Sequence, residues 1–66
     1  MELVVNGEKH ETETSNLLEL LEEFDVNPDL VSLKVNEQVV NKDRIEVTEL
    51  SDGDEVEMLF FMGGGN

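Results

Sequence analysis

The chain has 66 residues, no cysteine, and 17 acidic against four basic side chains, which give a formal net charge of −13. This length allows one domain with a single thin core, so we expect neither a second domain nor an enclosed catalytic cleft. The lack of cysteine excludes disulfides, thiolate metal sites and a cysteine nucleophile, and the negative charge disfavours nucleic acid and anionic membranes as partners.

The N-terminal segment predicts a β-hairpin. Residues 3–5 form a short apolar run, and Asn6-Gly7 suits both central positions of a type I′ turn. Residues 9–13 alternate weakly and carry charge on one side, which is typical of an exposed strand. His10 lies in a polar strand without a partner serine, cysteine or clustered acid, so we interpret it as an ordinary surface histidine and not as a catalytic base. The chain shows neither a secretion signal nor a long apolar segment, so we expect a soluble, cytoplasmic protein.

A helix is predicted to begin after Asn16, a favourable N-cap, with Glu19 three residues on to complete a capping box. Asn27-Pro28 is predicted to end it, because proline disfavours the helical conformation in the residue before it. Four apolar residues recur at helical spacing: Leu17, Leu20, Leu21 and Phe24. This stripe needs a sheet to cover it.

The middle of the chain predicts two strands and a less regular segment. Residues 31–35 alternate between apolar and polar side chains, the pattern of a half-buried strand. Val39-Val40 continues the pattern after a tight connection at Glu37 and Gln38. Residues 41–50 are irregular, and we expect a loop there with one helical turn.

The C-terminal segment predicts a turn, a central strand and a tail. Asp52-Gly53-Asp54 indicates a turn and lacks the ligand spacing of a calcium loop, so we expect no metal site there. Residues 56–62 are the most apolar run, as expected of a central strand with both faces partly covered. The glycines at 63–65 end regular structure, because consecutive residues without Cβ are costly to order.

One helix laid across a mixed sheet, with the last strand in the middle, buries both the helical stripe and the strand alternation. We therefore predict an α+β protein of the β-grasp (ubiquitin-like) type, with a mixed four- to five-stranded sheet packed on one helix. The β-grasp domain is predicted over residues 1–62, and a flexible glycine-rich C-terminal tail over residues 63–66. We expect the free protein to be a monomer.

A partner-binding patch is predicted immediately before the tail. Successive side chains of a strand point to opposite faces, so the four large apolar residues here cannot all enter one core. These residues are Leu59, Phe60, Phe61 and Met62. We expect some of them to be exposed as a docking surface; the alternative is that they close the far side of the core.

Four segments together resemble the thiamine sulfur-carrier (ThiS) family, and the likeness runs through almost the whole chain. They are "VVNGE", "ELLEEF", "LKVNEQVV" and "LSDGDEVEMLFFMGGG". The resemblance implies a protein co-substrate and not an enzyme. It implies that an E1-like adenylating enzyme uses ATP to activate the C-terminal glycine carboxylate, that a sulfur donor converts it to a thiocarboxylate, and that thiazole synthase receives the sulfur.

On this resemblance Gly65 is the sulfur-carrying glycine, and Gly63 and Gly64 form the thin tail that reaches into a partner enzyme. No cofactor is expected to bind the chain itself. Asn66 departs from the family pattern, since members generally finish at the glycine pair. We hypothesise that a peptidase removes Asn66; the rival is that the protein no longer acts as a carrier.

Three other functions stay open from the sequence. The small subunit of molybdopterin synthase is similar in fold and tail, although it usually runs longer. A ubiquitin-like modifier would form isopeptide bonds to lysines of other proteins. An inert β-grasp interaction domain would undergo neither modification.

Overall fold

The computed structural model describes residues 1–60. The N-terminal hairpin forms as predicted, with β1 (Glu2–Val5) antiparallel to β2 (Glu8–Glu11). Asn6 and Gly7 connect the two strands with φ angles of 50° and 85°. Both residues therefore occupy the left-handed region that a type I′ turn requires, which glycine and asparagine adopt at the lowest cost.

The helix α1 (Leu17–Glu23) begins where the sequence predicts, since the Asn16 side chain accepts a hydrogen bond from the backbone N–H of Glu19 at 3.2 Å. The second half of the predicted capping box is wrong. The Glu19 carboxylate instead accepts from the Thr14 hydroxyl at 2.6 Å, and the Thr14 oxygen accepts from the N–H of Asn16 at 3.3 Å. Thr14 thus takes the place that the capping box gives to the glutamate.

The helix ends four residues before the predicted Asn27-Pro28 boundary. Asp25 adopts a φ of 57°, its N–H donates to the carbonyl of Glu22, and the N–H of Val26 donates to the carbonyl of Leu21. These two bonds form a Schellman motif, which satisfies the last carbonyls of a helix. Pro28 then opens a short 3₁₀ helix, Pro28–Leu30, as a residue of fixed φ can at a first helical position.

The strand β3 (Val31–Val35) and the strand β4 (Gln38–Val40) form a second antiparallel hairpin. Its turn lies at Asn36 and Glu37, both with positive φ, one residue earlier than predicted. A 3₁₀ helix, Lys42–Val47, follows where the sequence predicted only one helical turn.

The last strand, β5 (Glu55–Phe60), occupies the centre of a five-stranded sheet in the order β2-β1-β5-β3-β4. It runs parallel to β1 and antiparallel to β3. The β-grasp prediction is therefore confirmed, with a mixed sheet of five strands and one main helix.

The core lies between α1 and one face of the sheet. Leu17, Leu20 and Leu21 are fully buried there, but Phe24 is 37% exposed, so the predicted stripe has three core residues and not four. Within β5, side chains alternate between buried (Val56, Met58) and exposed positions. The expectation that both faces of this strand are partly covered is therefore wrong, because a single helix covers only one face of the sheet and leaves the other open.

Candidate functional site

The C-terminal end of β5 carries the described part of the predicted partner-binding patch. Leu59 and Phe60 are 51% and 52% exposed, as the sequence predicts for some members of the patch. Phe61 and Met62 lie outside the described residues, and so do the tail residues Gly63, Gly64 and Gly65. A docking role for these residues stays a prediction.

Leu59 and Phe60 lie on opposite faces of the sheet. Leu59 shares the open face with Glu55 and Glu57, whereas Phe60 continues the helix face of Val56 and Met58. Phe60 pairs with Val31, the first residue of β3, and is half exposed although Val31 is buried. The two apolar side chains therefore flank the end of the central strand from both sides, and do not form a single patch on one face.

Asn6 makes two hydrogen bonds to β5, on the side of that strand that faces β1. Its backbone N–H donates to the carbonyl of Val56 at 2.9 Å, and its side-chain oxygen accepts from the N–H of Met58 at 2.7 Å. The second bond is partly buried and joins residues 52 positions apart. The side-chain amide therefore continues the pairing of β5 for one residue beyond the end of β1.

Asn36 makes the corresponding hydrogen bonds at the start of β5. Its N–H donates to the carbonyl of Glu55 at 2.8 Å, and its side-chain oxygen accepts from the N–H of Glu55 at 3.0 Å. Its amide nitrogen also donates to Asp54 at 3.0 Å. Asparagines that open the two hairpin turns thus hold the central strand at two points. The sequence identified Asn6 only as a turn residue and gave no signal for either long-range bond.

The turn at Asp52-Gly53-Asp54 is confirmed, and its carboxylates serve as hydrogen-bond acceptors. Asp52 accepts from the N–H of Glu2 at 2.7 Å, and Asp54 accepts from the N–H of Ser51 at 2.8 Å. Gly53, with a φ of 89°, donates its N–H to the carbonyl of Glu2 at 2.7 Å. The turn therefore ties the start of β1 to the segment that enters β5.

A shallow depression of about 490 Å³ lies beside β5 at the point where β1 ends. Asn6 and Gly7 form one wall, and the apolar side chains of Val4 and Leu59 contribute to the lining. Three carboxylates also line it: Glu37, Glu55 and Glu57. Lys34 lies opposite Glu57 in the register of β3 and β5, so it offsets part of this negative charge.

His10 has a partner that the sequence did not reveal. Its Nε2 lies 3.1 Å from an oxygen of Glu23, its ring packs on Phe24 with a centroid distance of 4.7 Å, and the hydroxyl of Thr12 donates to the other Glu23 oxygen at 2.7 Å. The hydrogen bond from Thr12, followed by that from His10, lowers the pKa of Glu23 below its ordinary value. The cluster connects β2 to α1, and it explains why Phe24 stays outside the core.

The described part of the chain contains neither a metal-binding cluster nor a membrane-spanning helix. Across residues 1–60, no three metal-binding side chains are grouped as a metal ion would require. No helix within those residues is long and apolar enough to cross a membrane.

Comparison with known proteins gives consistent matches along the chain. The model of the ThiS family matches residues 2–65. The crystal structure of a thiamine biosynthesis protein (ThiS) from Geobacter metallireducens superposes with a TM-score of 0.84 at 36% identity, covering 98% of this chain and 100% of that one. The sulfur carrier protein ThiS of Bacillus subtilis is 31% identical over 96% of this chain and 98% of its own length. A thiazole synthase of Paramagnetospirillum magneticum is 36% identical over 100% of this chain, which spans only 21% of that protein.

Proposed function

The chain belongs to the ThiS family, and from that premise we propose that it is a sulfur carrier in thiamine (thiazole) biosynthesis. In this role it is a protein co-substrate and not an enzyme. The reacting group is the carboxylate of Gly65, and the folded body presents that group to partner enzymes. The observation that supports this best is the placement of β5, a central strand that leads directly towards the glycine tail.

The proposed chemistry has two steps, an adenylyl transfer followed by an acyl transfer. A carboxylate oxygen of Gly65 attacks the α-phosphorus of ATP in the active site of an E1-like adenylating enzyme, and pyrophosphate leaves. Hydrosulfide (HS⁻), supplied by a sulfur donor, then attacks the acyl carbon, the bond from that carbon to the AMP oxygen breaks and AMP leaves, which yields the thiocarboxylate. Activation must come first, because an oxide ion is a poor leaving group and AMP is a good one. ATP is consumed by the partner, and this chain binds no cofactor of its own.

Thiazole synthase is the proposed recipient of the sulfur. A segment resembling this chain forms part of the Paramagnetospirillum magneticum protein of that name, so carrier and synthase sequences share one polypeptide there. Fusion of this kind is expected for proteins that must meet repeatedly. We place the reaction in the cytoplasm, where the activating step has its supply of ATP.

The residue types of the tail fit this role. Glycine has the smallest cross-section and the widest range of backbone conformations, so three glycines can thread a narrow channel. The lack of cysteine means that no thiol of the chain competes for the activated acyl group. Asn66 must be removed before Gly65 can react, and a peptidase is the proposed agent.

The test is adenylation of a chain that ends at Gly65 by an E1-like adenylating enzyme and ATP. Pyrophosphate release, followed by a mass increase equal to replacing one oxygen by sulfur, is the expected result. Chains that end at Asn66 or at Gly64 are the matched controls and should release none. Equal release from all three chains, or release from none with any such enzyme, would refute the proposal. Isopeptide adducts on lysines of other proteins would instead identify a modifier.

The processing step has its own test. Intact-mass measurement on protein taken from its native cell should find chains that end at Gly65. Retention of Asn66 in every molecule would refute removal by a peptidase.

A further inference from the structure

The backbone of β5 presents a free edge beyond the end of β1. In an antiparallel pair the N–H and C=O groups of alternate residues face the same neighbour. The bond between Asn36 and Glu55 shows that odd-numbered residues of β5 face β3, and the bond from Asn6 to Val56 shows that even-numbered residues face β1. The carbonyl of Met58 and the N–H of Phe60 therefore point towards the β1 side.

That side has no strand opposite Met58 and Phe60 within residues 1–60. The register between β1 and β5 stops at Val5 and Val56, and the Asn6 side chain reaches only the N–H of Met58. Unpaired main-chain groups in a sheet are a ready template for another extended segment. The edge is short, since it covers only the last residues of the described strand.

The surroundings of this edge indicate what kind of segment fits. The depression described above reaches this edge at Met58 and Leu59. An added strand has side chains that alternate between the two faces of the sheet, and those on the open face would lie near Glu57, which directly precedes Met58. Lysine or arginine there would complement this carboxylate, and the formal net charge of −13 favours a basic segment over an acidic one. A second copy of this chain is a poor occupant, because each copy carries a formal charge of −13.

We infer that the edge of β5 at Met58 and Phe60 receives an extended, basic segment of the adenylating partner, which adds a strand to the sheet next to the tail. This inference rests on the proposed function. Strand addition would fix the partner's main chain relative to the last strand of the carrier. The main-chain bonds would supply alignment, and Glu57 together with the net negative charge of the chain would supply attraction at low ionic strength.

Proline at position 60 tests the edge directly. Phe60→Pro removes the N–H that Phe60 presents to the free edge, whereas the bonds of the adjacent Leu59 to β3 stay intact, and a strand tolerates proline where no ladder bond is lost. Phe60→Ala is the matched control, since it removes the same side chain and keeps the N–H. In the pyrophosphate assay with chains ending at Gly65, we expect the KM of the proline variant to exceed that of the alanine variant roughly tenfold. Equal KM values for two variants that unfold at similar urea concentrations would overturn the inference.

The charges provide a second, independent readout. Glu57→Gln should raise the KM and weaken its dependence on salt, because this carboxylate directly precedes Met58 at the edge. Glu22→Gln makes the same chemical change on the exposed face of α1 and should leave both unchanged. An identical salt dependence in the edge variant and in the helix control would overturn the choice of a basic segment.

If no adenylating enzyme accepts even the unmodified chain ending at Gly65, the proposed function fails, and the edge is judged by a separate experiment. An acetylated and amidated peptide of alternating lysine and valine would be titrated into the isotope-labelled protein and followed by NMR. The amides of Met58 and Phe60 should shift in the native protein, and the Phe60→Pro variant should bind less. Shifts confined to other strands, or no shifts at millimolar peptide, would overturn the inference.

Discussion

Replacing Asn6 should release the end of β5, and the size of the effect follows from two contributions. Loss of the side-chain acceptor leaves the partly buried N–H of Met58 without its bond, which costs about 1–3 kcal/mol. An alanine at a φ of 50° adds about 1–2 kcal/mol of backbone strain, which glycine avoids. A core of this size rarely supplies more than about 3–5 kcal/mol. Asn6→Gly is therefore the informative variant, since Asn6→Ala will approach global unfolding.

The measurement is urea unfolding together with amide hydrogen exchange at Met58. Asn6→Gly should unfold about 1–3 kcal/mol more easily, with faster exchange at Met58, whereas Asn6→Asp keeps an acceptor and should lose about 1 kcal/mol or less. Asn41→Gly reports the general cost of changing asparagine to glycine, because the Asn41 side chain makes no capping bond. If Asn6→Gly behaves like Asn41→Gly and the exchange at Met58 is unchanged, the side-chain bond does not hold β5.

Leu20→Ala should lower the free energy of unfolding in urea by about 2–5 kcal/mol, because the side chain is fully buried. Glu22→Ala on the exposed face should change it by no more than about 0.5 kcal/mol. Similar losses for the two variants would contradict the assigned core. The pKa of Glu23 lies below its ordinary value of 4.5, so its contribution to stability is present above that value and is lost as the pH falls through the folded-state pKa. The stability difference between native protein and Glu23→Gln should therefore shrink as the pH falls from 6 towards 3, and a difference independent of pH would refute the assigned hydrogen bonds. Leu59→Asp and Phe60→Asp should weaken binding to the adenylating enzyme while the circular dichroism spectrum stays native, and unchanged affinity in both would exclude the predicted patch.

The features predicted correctly from the sequence are those with a local cause. Asn6-Gly7 specifies its turn through backbone conformation, and Leu17, Leu20 and Leu21 specify the buried face of α1 through their spacing. The apolar run at the end of the chain indicated the central strand, which β5 occupies. These patterns were enough to predict the β-grasp fold.

The features that the sequence missed depend on contacts between distant residues or on backbone hydrogen bonds. Asp25 ends the helix in a conformation that glycine usually provides, so the residue type gave no warning. Phe24 fits the helical stripe but packs on His10, which belongs to another element. The bond from Met58 to Asn6 joins opposite ends of the chain, and no spacing rule predicts such a pair. At the site, alternation predicted that part of the patch is exposed, but not that Asn6 and Asn36 hold the strand beneath it.

The parallel pairing of β1 with β5 has a consequence for when the carrier becomes competent. Val4 pairs with Glu55, so the middle of the sheet cannot close until Glu55 has left the ribosome. Contacts between such distant positions form late, after the two hairpins have had time to assemble separately. On the proposed function, a nascent or truncated chain without β5 therefore offers an activating enzyme neither the strand proposed to dock nor the carboxylate of Gly65.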